Sequence, residues 1–78
     1  MNDIQIYSTR QCPYCVRAKA LLQSKGLAYS ETDITDDIEL AEEMNDRSGN
    51  RTVPQIFING EAIGGFDELS VLNKHGKL

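Results

Sequence analysis

Asp3-Ile4-Gln5-Ile6-Tyr7-Ser8-Thr9-Arg10-Gln11-Cys12-Pro13-Tyr14-Cys15 is the stretch on which the fold turns. From Asp3 to Ser8, Ile4 and Ile6 alternate with Gln5 and Tyr7, the period of a short strand. Thr9-Arg10-Gln11 then forms a loop. From Pro13 to Lys25 the period becomes helical: Cys15, Ala18, Leu21 and Leu22 fall on one stripe, with Arg17, Gln23 and Ser24 away from it. Pro13 suits the first helical position, where its missing N–H would have had no partner. Cys12 is thereby left at the cap, and Gly26 stands where a left-handed C-terminal cap belongs.

Outward from this unit, Leu27 to Ile34 predicts a second strand, with Tyr29 buried. Thr35-Asp36-Asp37 supplies capping oxygens and negative charge for a second helix. Ile38, Leu40, Ala41 and Met44 give that helix its apolar side, and Gly49-Asn50 ends it. Gln55-Ile56-Phe57-Ile58 is a strand, Asn59-Gly60 a strong hairpin turn, and Glu61-Ala62-Ile63 the returning partner. Gly64-Gly65 breaks the strand. Phe66 to Lys74 is a third helix, with Leu69 and Leu72 inward and Gly76 as its stop. A strand–helix–strand unit crosses right-handedly and makes two parallel strands. The hairpin then adds an antiparallel edge, and helices cover both faces in an α/β, three-layer plan.

The 78 residues allow a single domain, 1–78. A chain this short buries only about 60% of its unfolded surface. Its 40% hydrophobic and 26% charged residues are a globular balance. A net charge of -4, no Trp and 6% aromatics exclude a nucleic-acid interface, which calls for a basic footprint or stacking rings. No apolar run approaches the ~20 residues of a membrane span. Met1-Asn2-Asp3-Ile4 has no basic or apolar leader character, so a cytoplasmic location is expected.

Cys12 and Cys15 are the only cysteines. In a chain with no export signal, this spacing points to redox or metal chemistry. A structural bridge closing so small a loop would contribute only roughly 2 kcal/mol. A zinc site needs four ligands, and His75 stands alone near the C-terminus as a helix cap or solvated residue, so no resident metal is expected. Placement says more than spacing. The first N–H groups of a helix lack partners, and the helix dipole favours an anion there. Cys12 is thus the natural site of a thiolate, while Cys15, on the apolar stripe, is more buried and less ionised. Lys19 is about two turns from Cys12, near 10 Å, and largely screened from it. Full ionisation gains roughly thirty-fold over an unperturbed thiol at pH 7. Lost nucleophilicity removes about as much, so the net benefit lies in leaving-group ability. Cys12 reads as entry nucleophile and leaving group, and Cys15 as the resolving thiol.

Thr52-Val53-Pro54 precedes the third strand. If the Val53–Pro54 bond is cis, Val53 turns its N–H and C=O outward, able to pair with an extended peptide. Gly64-Gly65 lets a ligand backbone approach closely. Asp67 is either a plain helix cap or a carboxylate that receives an ammonium group. Arg10 is either a solvated charge or a receiver of a carboxylate. Tyr14 is either a surface ring or a wall of the site, and Phe66 either core or site. The tripeptide glutathione has the carboxylate, sulfur and ammonium these handles would take, although any short peptide carries both end charges.

Cys12-Pro13-Tyr14-Cys15, Thr52-Val53-Pro54 and Gly64-Gly65-Phe66-Asp67, in this order, resemble the glutaredoxin family in its dithiol class. The resemblance covers nearly the whole chain. It implies a thioredoxin-like fold, a four-stranded mixed sheet flanked by three helices in the order βαβαββα, with a cis bond before Pro54. It further implies reduction of glutathione mixed disulfides and protein disulfides in cell redox homeostasis and electron transport. Glutathione is then reductant and co-substrate, with no permanent cofactor, and the protein is a monomer. By the same resemblance, Arg10 meets the glycine carboxylate and Tyr14 flanks the sulfur. The Val53 backbone pairs with the cysteinyl residue beside Thr52 and Pro54. Gly65, Phe66 and Asp67 hold the γ-glutamyl end. Three positions depart from the family pattern: Arg10 stands where lysine is common, Phe66 where cysteine is frequent, and Ala41 where many members have a carboxylate-binding glutamine. Arg47 or Arg51 is a candidate substitute for that glutamine. Two alternatives compete. One is a thioredoxin-like electron donor, for instance to ribonucleotide reductase, against which Asp67 argues. The other is a glutathione-ligated iron–sulfur module, against which Pro13 argues.

Overall fold

The computed structural model describes residues 3–78; Met1 and Asn2, on which part of the expectation about the N-terminus rests, lie outside them. Seven elements follow one another: β1 (Ile4–Ser8), α1 (Pro13–Ser24), β2 (Ser30–Asp33), α2 (Ile38–Ser48), β3 (Gln55–Ile58), β4 (Glu61–Gly64) and α3 (Phe66–Lys74). They form the thioredoxin-like arrangement expected of the sequence. The sheet runs β2-β1-β3-β4, with β1 parallel to β2 and antiparallel to β3, and β3 antiparallel to β4.

Strand alternation sends β1 and β3 side chains to two cores. On one face Ile4, Ile6 and Ile56 pack with Ala18 and Leu22 of α1 and Leu69 of α3. On the other, Tyr7 and Phe57 pack with Ile34, just after β2, and with Met44 of α2. Burying each of these large side chains contributes roughly 1.5–3 kcal/mol. The stripe read on α1 is the buried one: Cys15, Ala18 and Leu22 are inside, with Leu21 packed at the edge.

Two boundaries differ from expectation. The second strand pairs only over Ser30–Asp33, because Leu27 is held back by its N–H bond to the Leu22 carbonyl after Gly26 closes α1 in the left-handed region. Leu27 and Tyr29 still pack on the core from outside the strand. Gly64, expected to break the fourth strand, is its last residue and pairs with Ile56 across a bulge at Ile56/Phe57.

The ends of α2 follow local chemistry. The Asp37 carboxylate accepts the Leu40 N–H at 3.0 Å, and Gly49 closes the helix at φ 75°. α2 is fastened to the sheet by Arg47, which donates to Tyr7 Oη at 2.8 Å and Gln5 Oε1 at 3.0 Å and stacks 4.1 Å over the Phe57 ring. Removing the cap in Asp37→Ala is expected to cost about 1 kcal/mol. For a domain of this size that lowers Tm by about 4–8 °C, readable by calorimetry.

Candidate active site

The loop after β1 delivers Cys12 to the start of α1. Cys12 is the N-cap in extended conformation, and its Sγ accepts the Cys15 N–H at 3.1 Å. On its other side the same sulfur meets the Val53 carbonyl at 3.7 Å. Cys12 retains 9% exposure and Cys15 none, and both thiols are free. The two cysteines thus differ as their positions on the helix require. Burial pushes the Cys15 thiol up to about 12; its contact with Cys12 adds to the rise and a backbone hydrogen bond from Thr9 opposes it. Among the described residues no three His, Cys, Asp or Glu side chains gather into a metal-holding cluster.

The Val53–Pro54 bond is cis. The Val53 N–H has no hydrogen-bond partner among the described residues, and the Val53 carbonyl meets Cys12 Sγ, so neither group is paired in the sheet. From Val53 an open cavity of about 360 Å³ runs toward the start of α3. Tyr14, Thr52, Val53, Pro54, Gly65, Phe66 and Asp67 all line it, so seven of the expected ligand-contacting residues converge. Tyr14 is 53% exposed, with its ring 6.2 Å from that of Phe66. Phe66 serves both of its readings: it packs against the core and walls the cavity.

Asp67 is not the cap of α3. That position belongs to Gly65, and Glu68, three residues on, accepts the Gly65 N–H at 2.9 Å, the half of a capping box open to a glycine N-cap. The Asp67 carboxylate is left without a hydrogen bond or ion pair among the described residues. Gly64, at φ 111°, makes room for the arrangement, because a Cβ there would run into the Glu68 carboxylate. Glu68, Asn50 and Gln55 also line the cavity and were not singled out in the sequence. Only Glu68 carried a signal, its three-residue offset from a glycine that opens a helix.

The structure does not bring Arg10 to the cavity. Its Nε lies 3.4 Å from Asp33 Oδ2, in an exposed pair at the end of β2. Arg47 is committed to Tyr7, Gln5 and Phe57, so it does not replace the missing glutamine. Ala41 packs beside the α2 core. Arg51 is exposed next to Thr52 and has no partner among the described residues.

The glutaredoxin family model matches residues 4–63. The chain belongs to the glutaredoxin family. It is 50% identical to glutaredoxin 3 of Escherichia coli strain K12, across all of this chain and 94% of that protein. It is 45% identical to a glutaredoxin of Pseudomonas aeruginosa, across all of this chain and 93% of that one. Among solved structures, the Brucella melitensis glutaredoxin superposes with a TM-score of 0.83 at 49% identity, covering 96% of this chain and 82% of that one. A buckwheat glutaredoxin–glutathione complex superposes at 0.88 and 31%, covering 99% and 73%. Membership assigns this family member to the thiol–disulfide oxidoreductases, with Cys12 and Cys15 spaced as the dithiol class requires.

The raised Cys15 thiol gives a pH test. A thiol held protonated by folding contributes stability below its unfolded value near 9.0, and that contribution is lost as pH climbs from there toward about 12. Tm is therefore expected to fall between pH 8 and 10, and the Cys15→Ser variant to show a shallower fall in the same buffers. Equal slopes would contradict the assignment.

Proposed function

We propose that the chain reduces glutathione mixed disulfides and protein disulfides, with glutathione as the electron source. The observation that carries this is the span of the cavity. Cys12 is not itself in the cavity lining, but the cavity begins at Val53, whose carbonyl lies 3.7 Å from Cys12 Sγ, and reaches Asp67, whose carboxylate has no partner among the described residues. A peptide laid between them as an added strand would pair with the Val53 main chain, place its sulfur at Cys12 and its ammonium at Asp67. Glutathione has these groups in this order. The glutathione complex of the buckwheat relative supports the same choice.

The Cys12 thiolate attacks the glutathione sulfur of a mixed disulfide. The protein–glutathione bond breaks, and the protein thiolate departs and takes up a proton. A second glutathione thiolate then attacks the glutathione sulfur now bonded to Cys12. Oxidised glutathione leaves, and Cys12 departs as a thiolate steadied by the Cys15 N–H. With a protein disulfide, Cys12 first forms a mixed disulfide with the client. Cys15 loses its proton and attacks Cys12, releasing the second client thiol and closing a Cys12–Cys15 bond, which two glutathiones reopen. At the glycine end, Arg10 would meet the carboxylate only by releasing Asp33, and Arg51 is a second cation close to Thr52.

Turnover of a glutathionylated peptide, with glutathione or with thioredoxin reductase as the sole electron source, tests the central claim; activity with the reductase alone would overturn it. Cys15→Ser is expected to keep this turnover and to lose reduction of an intramolecular protein disulfide. Asp67→Ala is expected to raise KM for the glutathionylated peptide about tenfold, the loss of one charge-assisted hydrogen bond, with kcat near that of the parent.

A further inference from the structure

Gln55 opens β3 immediately after Pro54, and only 3% of it is exposed. Its Nε2 donates to the Thr52 carbonyl at 2.9 Å and lies 3.2 Å from the Thr52 hydroxyl. Its Oε1 is buried and has no partner among the described residues. The Thr52 carbonyl fixes this orientation of the amide, because the reverse would set two acceptor oxygens against each other.

As a contribution to folding this is a poor use of a core position. A buried acceptor without a partner loses its hydration and regains nothing. The next strand residues, Ile56 and Phe57, are apolar and buried, as the core demands. Gln55 breaks the local rule, and it does so in the wall of the cavity, beside Thr52 and Val53. Such departures concentrate at functional sites. What the side chain achieves is a brace. It reaches back over Val53 to hold Thr52, and so fixes the main chain on both sides of the residue whose carbonyl meets Cys12.

We propose that Gln55 is a positioning residue whose side-chain amide pins Thr52, and thereby keeps the Val53 main chain presented to a bound peptide disulfide beside Cys12. This rests on the strand-pairing role given to Val53 under the proposed function. It adds the residue that keeps that ledge in place before any substrate arrives.

The test is Gln55→Leu, with Gln55→Met as a second apolar variant should the first not fold. Both remove the orphan acceptor together with the brace. Tm is expected to stay level or rise by a few degrees, while KM for a glutathionylated peptide rises about fivefold at unchanged kcat. Backbone order parameters of Thr52 and Val53 are expected to fall from the rigid range toward the flexible one. A residue that merely supports the fold would behave in the opposite way, with a lower Tm and an intact KM, and that result overturns the proposal. Unchanged order parameters overturn it as well. If the parent protein does not turn over the peptide, the proposed function fails, and the order parameters still decide whether Gln55 holds the ledge.

Discussion

One backbone amide sets the surroundings of the two thiols: the Cys15 N–H that points at Cys12 Sγ across the first turn of α1. It exists because a helix cannot pair its own first amides, and because Pro13 starts the helix one residue after Cys12. The same geometry gives the two thiols different surroundings. The cap sulfur keeps a small exposure, in a residue 9% exposed, with a donor aimed at it. The sulfur one turn further on enters the core with Ala18 and Leu22, where desolvation keeps it protonated.

The opposite end of the cavity repeats this economy with carboxylates. Asp67 and Glu68 are adjacent and both acidic, yet only Glu68 is engaged, accepting the Gly65 N–H. A helix side chain three positions after the cap reaches back to it, whereas one two positions after points outward. Glu68 therefore settles the turn, and Asp67 is left available to a ligand. Gly64 and Gly65 let this turn sit close: one admits the Glu68 carboxylate, and the other brings its backbone to the Pro54 carbonyl, where a Cβ would stand at 3.2 Å.

The cations resist the same kind of assignment. Arg10 and Arg47 each had a plausible place at the site by position along the chain. One lies in an exposed pair with Asp33, and the other is clamped over Phe57 and bonded to Tyr7. A long, flexible guanidinium goes to whichever carboxylate, ring or carbonyl the fold brings within reach, and such partners lie far away in sequence. The exposed Arg10–Asp33 pair is weak. It adds little to stability, and its relevance is that Asp33 competes with any carboxylate brought to Arg10.

The sequence by itself determined what depends on near neighbours. Alternation in Ile4–Tyr7, the stripe Cys15-Ala18-Leu22, Pro13 at the helix start, Asp37 as a cap and Asn59-Gly60 as a turn each act within a few residues, so element order, sheet plan and the unequal cysteines were legible there. Strand ends were less so, since β2 stops where its partner strand stops and not where its own apolar residues do. Tertiary structure alone decided that Val53 meets Cys12 across 41 positions, that Gln55 turns back to Thr52 with its oxygen unpaired, and that Arg47 leaves the site for the Tyr7–Phe57 face. The physical reason is range. Dihedral preferences and caps are set by local covalent geometry, whereas these contacts form only after two cores have closed on the two faces of one sheet.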